Sequence, residues 1–336
     1  MQRKFLNRRV MLKKSLAIIA VSTLGLTGCA ATEESLTLYS GRKENLVQPI
    51  IDQFTEDTGI KVEVRYAGTS ETAALILEEG ENTQADVFYG VGGAALGALS
   101  RGGAFVEIDQ EILDLVDPKF RSVDNDWVGT SGRARIMIYN PNTVTEIPAS
   151  VMELANPEWD GRIAIAPSYG SFQAFVTAMR VVEGDQAASE WLAAMADQAV
   201  IFNRDEEVTE AVESGTVDAG LVNHYYWNRR GIEEGYDNIL SRAAFFTSND
   251  VGNLVNVAGV GMLNDSDVAK AFVEYLLSDT AQSYFAETTM EYPLVSTVEP
   301  AEELIPLDEV PTAELDLNDI DQLDRTLELM RDAGLL

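Results

Sequence analysis

The chain has 336 residues, 46% of them hydrophobic, and carries 24 basic against 55 acidic side chains, for a formal net charge of −31. This excess of negative charge repels phosphate groups, so it excludes nucleic acid and anionic membrane surfaces as partners of the folded part. The apolar content is enough for one large core or two cores. A single cysteine excludes an internal disulfide and a cysteine-based metal cluster.

The first 28 residues predict an export signal rather than a part of the fold. They contain six basic and no acidic residues, and their apolar run extends from Leu16 to Leu26. This order is typical of a secretory signal, and the run is too short for a membrane-spanning helix. The pair Arg8-Arg9 resembles a twin-arginine signal, so both export routes stay open. Removing the signal leaves 18 basic against 55 acidic residues, a charge of about −37.

Cys29 ends the sequence Leu26-Thr27-Gly28-Cys29, which resembles the lipobox of bacterial lipoproteins. A lone cysteine is usually a small buried residue, but here a glycine and an apolar stretch precede it. Lipidation would anchor the exported domain to a membrane. We therefore expect a signal peptide over 1–28, a lipid-anchored tether over 29–34, and a location in the periplasm or on the outer face of the cytoplasmic membrane.

The rest of the chain alternates between strand-like and helix-like segments. Continuous or alternating apolar runs predict strands, and apolar residues at helical spacing predict helices. The predicted strands are 36–39, 61–66, 85–89, 135–139, 162–166, 199–202, 219–222 and 258–262. The predicted helices are 44–58, 69–79, 94–100, 172–182, 187–196, 208–214, 226–234, 267–277, 282–288 and 323–335. This alternation predicts an α/β protein with parallel sheets.

The strand at 219–222 leads into the segment that is most typical of a ligand site. Asn223, the sole histidine His224, and the pair Tyr225 and Tyr226 stand between that strand and the next helix. Ligands of α/β sheets bind beyond the carboxyl ends of strands. Two phenols at such a place can act as hard oxygen ligands, because a bound cation favours their deprotonated form. The alternative is an aromatic packing cluster, which is the commoner role of an isolated tyrosine pair.

Five motifs occur in order along the chain and together resemble the ferric-iron-binding proteins of ABC importers, the periplasmic bacterial transferrins. They are Leu38-Tyr-Ser-Gly-Arg42, Ala85-Asp-Val-Phe-Tyr89, Ser131-Gly-Arg-Ala-Arg135, Ser171-Phe-Gln-Ala-Phe175 and Asn223-His-Tyr-Tyr-Trp227. The paired tyrosine after a strand is the most specific of these motifs. The resemblance covers nearly all of the chain after Cys29.

The resemblance implies an α/β, two-lobed periplasmic-binding-protein fold of type II, with a central ligand cleft and a hinge. Lobe 1 is expected over 35–131 plus 256–336, and lobe 2 over 132–255. The implied function is high-affinity binding of Fe(III) outside the cytoplasmic membrane and its delivery to the permease and ATPase subunits of an ABC transporter. A binding protein that acts as a monomer, and not an enzyme, is therefore expected.

The resemblance implies Tyr225 and Tyr226 as iron ligands. Some members of the family add a tyrosine in the loop where Tyr169 stands, and others use a side chain after the first strand, where Lys43 and Glu44 stand. A lysine is a cation and a poor iron ligand, so Glu44 is the candidate oxygen donor of the first lobe. On its own, Glu44 is more typical of an acidic residue at a helix start. The first-lobe ligand stays open at this point.

Three phenolates would neutralise one Fe(III), so a synergistic anion such as carbonate, known in the family, would need positive partners. Arg133 and Arg135 are the candidates, since a guanidinium can donate to two oxygens at once. The backbone N–H groups of Gly170 and Ser171 at a helix start offer a further anion site, and Asn223 can orient a ligand. Alternatively, the two arginines are ordinary strand residues, one solvated and one paired.

Two other classes of protein stay open. An enzyme would need a base, but His224 is the only imidazole, and the sequence has no P-loop, dinucleotide-binding or nucleophile-elbow motif. A binding protein for another small ligand is the stronger alternative, with an organic cation such as thiamine or a polyamine, or an oxyanion, as the ligand. Colour discriminates a ferric-iron-binding protein from a protein that binds such a ligand, because ferric–phenolate complexes absorb visible light.

Overall fold

The computed structural model of this chain describes residues 34–247, 249–320 and 322–336. The predicted signal peptide (1–28), the lipidation candidate Cys29 and nearly all of the predicted tether lie outside the described residues. Within the described ranges, no helix is both long enough and apolar enough to cross a membrane.

Ten strands lie within the described residues, and eight of them coincide with predicted strands. They are β1 (Ser35–Ser40), β2 (Lys61–Tyr66), β3 (Val87–Val91), β4 (Val128–Tyr139), β5 (Ile163–Ile165), β6 (Val200–Ile201), β7 (Ala219–Asn223), β8 (Arg242–Ala244), β9 (Val255–Met262) and β10 (Tyr292–Pro293). The short strands β8 and β10 were not predicted, because two or three residues are too few to show a period.

Eleven α-helices lie in the same ranges, and α1 and α2 have the bounds that the sequence predicts. They are α1 (Glu44–Thr58), α2 (Thr69–Glu79), α3 (Gly93–Arg101), α4 (Gln110–Leu113), α5 (Gly170–Glu183), α6 (Asp185–Gln198), α7 (Asp205–Glu213), α8 (His224–Glu234), α9 (Asp267–Leu276), α10 (Asp279–Glu287) and α11 (Leu323–Asp332). Helix α8 begins two residues earlier than predicted, so both tyrosines of the pair belong to its first turn.

The strands form one mixed sheet in the order β2-β1-β3-β9-β4-β7-β5-β6, with β8 and β10 each paired to β4. The outer strands pair in parallel. In the centre, β9 is antiparallel to both β3 and β4, and β4 is antiparallel to β7. The prediction of parallel sheets is therefore wrong for the centre of the sheet. Alternation of strands and helices does not encode the direction of a strand that crosses from one part of the sheet to another.

Strand β4 is shared by the two parts of the sheet. Its residues 128–134 pair with β9, and its residues 135–139 pair with β7. Only the second part was predicted, since Gly129 and Gly132 with two hydroxyl residues break the apolar pattern. A Cβ at Gly129 would lie 2.7 Å from the carbonyl oxygen of Phe120, so the close approach of the two backbones requires glycine there.

The core lies on both faces of the sheet. Strands β5, β7 and β9 are buried at every position, and successive residues of a strand point to opposite faces. Both faces are therefore covered, which explains the nearly continuous apolar runs in the sequence. The largest buried side chains include Phe54 of α1, Trp127, Phe172 of α5, Trp191 of α6 and Phe272 of α9.

The C-terminal helix α11 packs on α5 and α6. The hydroxyls of Thr326 and Thr177 share a hydrogen bond of 2.8 Å, and Arg180 donates to the carbonyl oxygen of Gln322 at 2.9 Å. The predicted division places α11 in lobe 1 and its packing partners in lobe 2. That division, with boundaries at 131/132 and 255/256, stays a prediction.

Candidate metal centre

A cleft of about 410 Å³ opens at the carboxyl ends of the strands. Its walls come mainly from segments that follow β1, β2, β3, β5 and β7 in the chain, namely 41–43, 68–71, 91–92, 168–171 and Tyr225. This is the edge at which α/β sheets bind their ligands, because the loops that leave neighbouring strands meet there.

Three tyrosines meet at this cleft. Tyr169 and Tyr225 line it, and the phenol oxygen of Tyr226 lies 2.6 Å from that of Tyr169. The ring centroids of Tyr225 and Tyr226 are 4.3 Å apart. Tyr169 is the residue that caps α5, while the pair stands in the first turn of α8. The structure therefore brings together three phenols that the sequence places in two distant segments.

Burial controls the protonation of these phenols. It raises the pKa of Tyr169 and of Tyr226 far above that of a free phenol, and the neighbouring Tyr225 raises both further. The two phenols are therefore protonated in the protein by itself. A metal ion must displace these protons to bind, which favours a hard and highly charged cation. Among the described residues, no three His, Cys, Asp or Glu side chains are grouped to hold a metal ion.

Arg133 places a buried positive charge at the cleft. It lines the cleft and is 5% exposed, and its Nε and Nη2 atoms have no hydrogen-bond partner among the described residues. Burial lowers its pKa, Glu291 opposes this effect, and Arg42 adds to it. A buried guanidinium with free donors is costly unless an anion accepts them. The predicted anion role of Arg133 therefore fits its surroundings.

Arg135, the other predicted anion partner, does not line the cleft, and two of its three nitrogen atoms have partners. Its Nη1 atom pairs with the buried carboxylate of Asp205 at 3.2 Å, and its Nη2 atom donates to the carbonyl oxygen of Leu221 at 2.8 Å. Its guanidinium also lies over the rings of Phe172 and Phe175. Of its nitrogen atoms, only Nε lacks a hydrogen-bond partner among the described residues.

Gly170, Ser171 and Asn223, the other residues predicted to bind an anion, lie together. Gly170 and Ser171 are the first two residues of the 14-residue helix α5 and line the cleft. The Nδ2 atom of Asn223 donates to the Ser171 Oγ at 3.0 Å and to the Tyr225 phenol oxygen at 3.4 Å. The start of α5 thus faces the same phenol group as this amide, where its dipole favours an anion.

The structure does not bring Glu44, the predicted metal ligand of the first lobe, to the cleft or to the three tyrosines. Glu44 is exposed at the first position of α1 and lines a separate depression with Gln48 and Asp52. An acidic side chain at a helix start is favoured by the helix dipole, which accounts for it. Lys43 lines the cleft instead, with its Nζ atom 3.2 Å from Glu206 and 5.8 Å from the centroid of the Tyr169 ring.

Sequence reasoning missed a buried ion pair in the cleft. Arg42 donates to both carboxylate oxygens of Glu291, at 3.1 and 3.0 Å, and each side chain is 1% exposed. Burial would raise the pKa of Glu291, but Arg42 and Arg133 outweigh it and hold that pKa at about 2. The two partners are 249 positions apart in the chain, so no local signal could have paired them.

His224 is a structural residue. The backbone N–H of Ala134 donates to its Nδ1 atom at 3.2 Å, and its Nε2–H group donates to the carbonyl oxygen of Met290 at 2.7 Å. Burial lowers its pKa to about 4. The imidazole is therefore neutral at ordinary pH with both nitrogens occupied, and it is available neither as a base nor as a ligand.

A concave site at the strand ends, with a few polar groups aimed into it, is the arrangement of an α/β protein that binds a small ligand. Residues 82–322 match the bacterial extracellular solute-binding protein family, and the chain belongs to that family. It is 31% identical over 328 residues to the Fe(3+)-binding periplasmic protein of Serratia marcescens, covering 95% of this chain and 97% of the relative. It is likewise 31% identical to the major ferric iron-binding protein of Neisseria meningitidis serogroup B, over 94% of this chain and 98% of the relative.

Solved structures agree with this assignment. Iron-bound HitA from Pseudomonas aeruginosa has a TM-score of 0.84 at 32% identity, covering 90% of this chain and all 100% of that one. A Trichodesmium protein (IdiA, FutA) in complex with iron and citrate ligands has a TM-score of 0.77 at 28% identity, with the same coverage. These similarities confirm the predicted two-lobed, type II periplasmic-binding-protein fold. Membership in a solute-binding family confirms a binding protein and not an enzyme.

Proposed function

We propose that this protein binds ferric iron outside the cytoplasmic membrane and delivers it to the permease of an ABC importer. The observation that carries the proposal is the meeting of Tyr169, Tyr225 and Tyr226 at one cleft. Phenolates are hard anionic ligands, and three of them match the charge of Fe(III). Relatives that align with more than nine-tenths of this chain are ferric iron-binding proteins.

The iron is bound together with an anion such as carbonate or a carboxylate. Once three phenolates have neutralised the metal, Arg133 still leaves a buried positive charge with two free donor atoms. The backbone N–H groups of Gly170 and Ser171 add donors beside it. A relative solved with iron and citrate ligands supports an anion of this chemical class.

One measurement tests the proposal: metal analysis and a visible spectrum of the protein purified without chelator. We expect bound iron and a phenolate-to-Fe(III) absorption band in the wild type. Tyr225→Phe with Tyr226→Phe should remove both, while the free energy of unfolding of the metal-free protein stays nearly the same. A colourless wild-type protein that retains an organic cation would contradict the iron assignment, and so would an unchanged iron titration in the double variant.

Attachment to the membrane through a lipid on Cys29, and function as a monomer beside its permease and ATPase partners, complete the proposal. The support for the anchor is the sequence Leu26-Thr27-Gly28-Cys29 after an apolar run. We expect Cys29→Ser to release the protein into the soluble fraction of cells, as followed by fractionation. A Cys29→Ser protein that still fractionates with membranes would argue against the anchor.

A further inference from the structure

A chain of buried hydrogen bonds ends on one of the proposed iron ligands. Asp205, the first residue of α7, accepts from Arg135 at 3.2 Å, and Arg135 in turn donates to the Oδ1 atom of Asn223 at 3.4 Å. The Nδ2 atom of Asn223 then donates to the phenol oxygen of Tyr225 at 3.4 Å. Asp205, Arg135 and Asn223 are 0%, 2% and 5% exposed, so water does not compete for these bonds.

This series of hydrogen bonds has a fixed direction, because each group in it can act only as a donor or only as an acceptor at its contact. A guanidinium has only donors, so it can hold Asn223 only by the carbonyl oxygen of its side chain. The amide nitrogen of that side chain must then face Tyr225 and Ser171. The amide N–H therefore points at the phenol oxygen of Tyr225, which accepts it, and this contact orients the phenol group.

Asp205 also fixes the backbone beneath the tyrosine pair. Its Oδ2 atom accepts from the backbone N–H of Asn223 at 3.1 Å, at the end of β7 and directly before α8. One carboxylate therefore holds both the main chain and, through Arg135, the side chain of Asn223, two positions before Tyr225. A buried ion pair adds little net stability in general, so stability alone does not explain a pair at this place.

We propose that Asp205 and Arg135 are positioning residues for the iron ligand Tyr225, and that they act through Asn223. The inference rests on the proposed ferric function of the cleft. Neither residue lines the cleft, and their effect is to keep the Asn223 amide turned toward the phenol oxygen. Groups that orient a metal ligand in this way typically change metal affinity by about 10–100-fold when they are removed.

A double-mutant cycle tests the proposal. Asp205→Asn combined with Arg135→Met removes both charges at once and leaves no unpaired charge in the core. This change, Asn223→Ala, and the two together are compared in Fe(III) affinity by citrate competition, in the position of the visible band, and in urea unfolding of the metal-free protein. We expect each change alone to weaken binding by about 10–100-fold and to shift the band. The combined variant should bind Fe(III) as tightly as Asn223→Ala alone, within about twofold, because both changes act through the Asn223 amide.

The matched control lies at the other end of β7. Asp218 directly precedes this strand and pairs with Arg162, so Asp218→Asn with Arg162→Met removes an ion pair from the same strand away from the cleft. This control should leave band and affinity at wild-type values. Losses of Fe(III) affinity that multiply in the combined variant would overturn the proposal, and so would an unshifted visible band in the Asp205–Arg135 variant.

Arg135→Lys serves if the charge-free variant does not fold. It keeps the charge but not the planar fork, so it should shift the band in the same direction and be non-additive with Asn223→Ala. Multiplying losses or an unshifted band overturn the proposal here too. Failure of the proposed ferric function can be distinguished from failure of this positioning role, because it would appear as an absence of iron and colour in the wild type.

Discussion

Tyr169 is the residue on which the composition of the proposed ligand shell depends most. It comes from the loop before α5 and contacts the tyrosine pair of α8 through a hydrogen bond of 2.6 Å between its phenol oxygen and that of Tyr226, and through an edge-to-face contact of the two rings. Its phenolate would also lie at the start of α5, where the helix dipole favours negative charge. The helix dipole thus favours the ionised form of Tyr169 once a metal ion is bound.

We predict that Tyr169→Phe weakens Fe(III) binding and shifts the visible band, because one charge-transfer ligand is lost. The control is Tyr139→Phe at the end of β4, which is not among the residues that line the cleft. Both variants should be titrated at fixed carbonate, since an anion could otherwise take the free position on the metal. Wild-type band position and affinity in Tyr169→Phe would show that the shell has only two tyrosines.

His224 makes the stability of the metal-free protein depend on pH. The imidazole has a pKa near 6.5 in the unfolded state, whereas burial lowers its pKa to about 4 in the folded state. The unfolded state therefore holds more protons between these values, so stability is complete above about pH 6.5 and falls as the pH decreases toward 4. A depression of this size corresponds to about 3 kcal/mol.

His224→Gln should remove this dependence. A glutamine can donate to the Met290 carbonyl and accept from the Ala134 N–H, but it does not titrate. Urea unfolding between pH 7 and pH 4 should show a loss about 3 kcal/mol smaller in the variant than in the wild type. Parallel pH profiles for the two proteins would mean that the imidazole is not held neutral by its burial.

The site residues divide into those that a sequence can indicate and those that it cannot. Tyr225, Tyr226 and Asn223 stand in one short segment after a strand, so a local pattern predicts them. Arg42 and Glu291 come from segments far apart, and their pairing is a product of the sheet order. Similarly, the sequence left open which of Arg133 and Arg135 is paired, because the answer depends on Asp205, seventy positions away from Arg135.

At the scale of elements, periodicity predicted position but not direction. Helix α1 and strand β2 were predicted with the bounds observed, because a turn signal such as Gly59 separates them and each has a clean period. The antiparallel placement of β9 between β3 and β4 leaves no trace in the period of any strand. A strand has the same apolar pattern in the sequence whether it pairs with its neighbour in a parallel or an antiparallel direction.

Helix α11 offers a test of how much one terminal element contributes to stability. Met330 is fully buried where α11 packs on α5 and α6, whereas Leu336 at the chain end is 45% exposed. We predict that Met330→Ala lowers the free energy of unfolding by about 2–5 kcal/mol, since it leaves a cavity. Leu336→Ala should change it by less than about 0.5 kcal/mol in the same urea assay. Equal small effects would mean that α11 is not part of the cooperative unit.

At the scale of the whole molecule, acidity is the dominant property. Without the predicted signal, the chain carries 18 basic against 55 acidic residues. Many of the observed ion pairs are exposed, such as Lys43 with Glu206 and Arg325 with Asp185. Exposed pairs contribute little to stability. Repulsion among the unpaired carboxylates therefore outweighs attraction within the pairs, and it opposes the compact state.

This balance predicts the response of the protein to salt. The screening length falls from about 30 Å at 0.01 M salt to about 8 Å at 0.15 M, so repulsion across the surface is lost before the attraction within close pairs. We expect the melting temperature of the metal-free protein at pH 7.5 to rise over this range, by about 2–4 °C if screening recovers ~1 kcal/mol. Most of the rise in melting temperature should be complete by 0.15 M salt. At that concentration, repulsion between exposed carboxylates more than about 8 Å apart is already largely screened. If exposed ion pairs instead dominate the electrostatic energy, sodium chloride will lower the melting temperature. Calorimetry of the protein without its first 28 residues, at a series of salt concentrations, decides between the two signs.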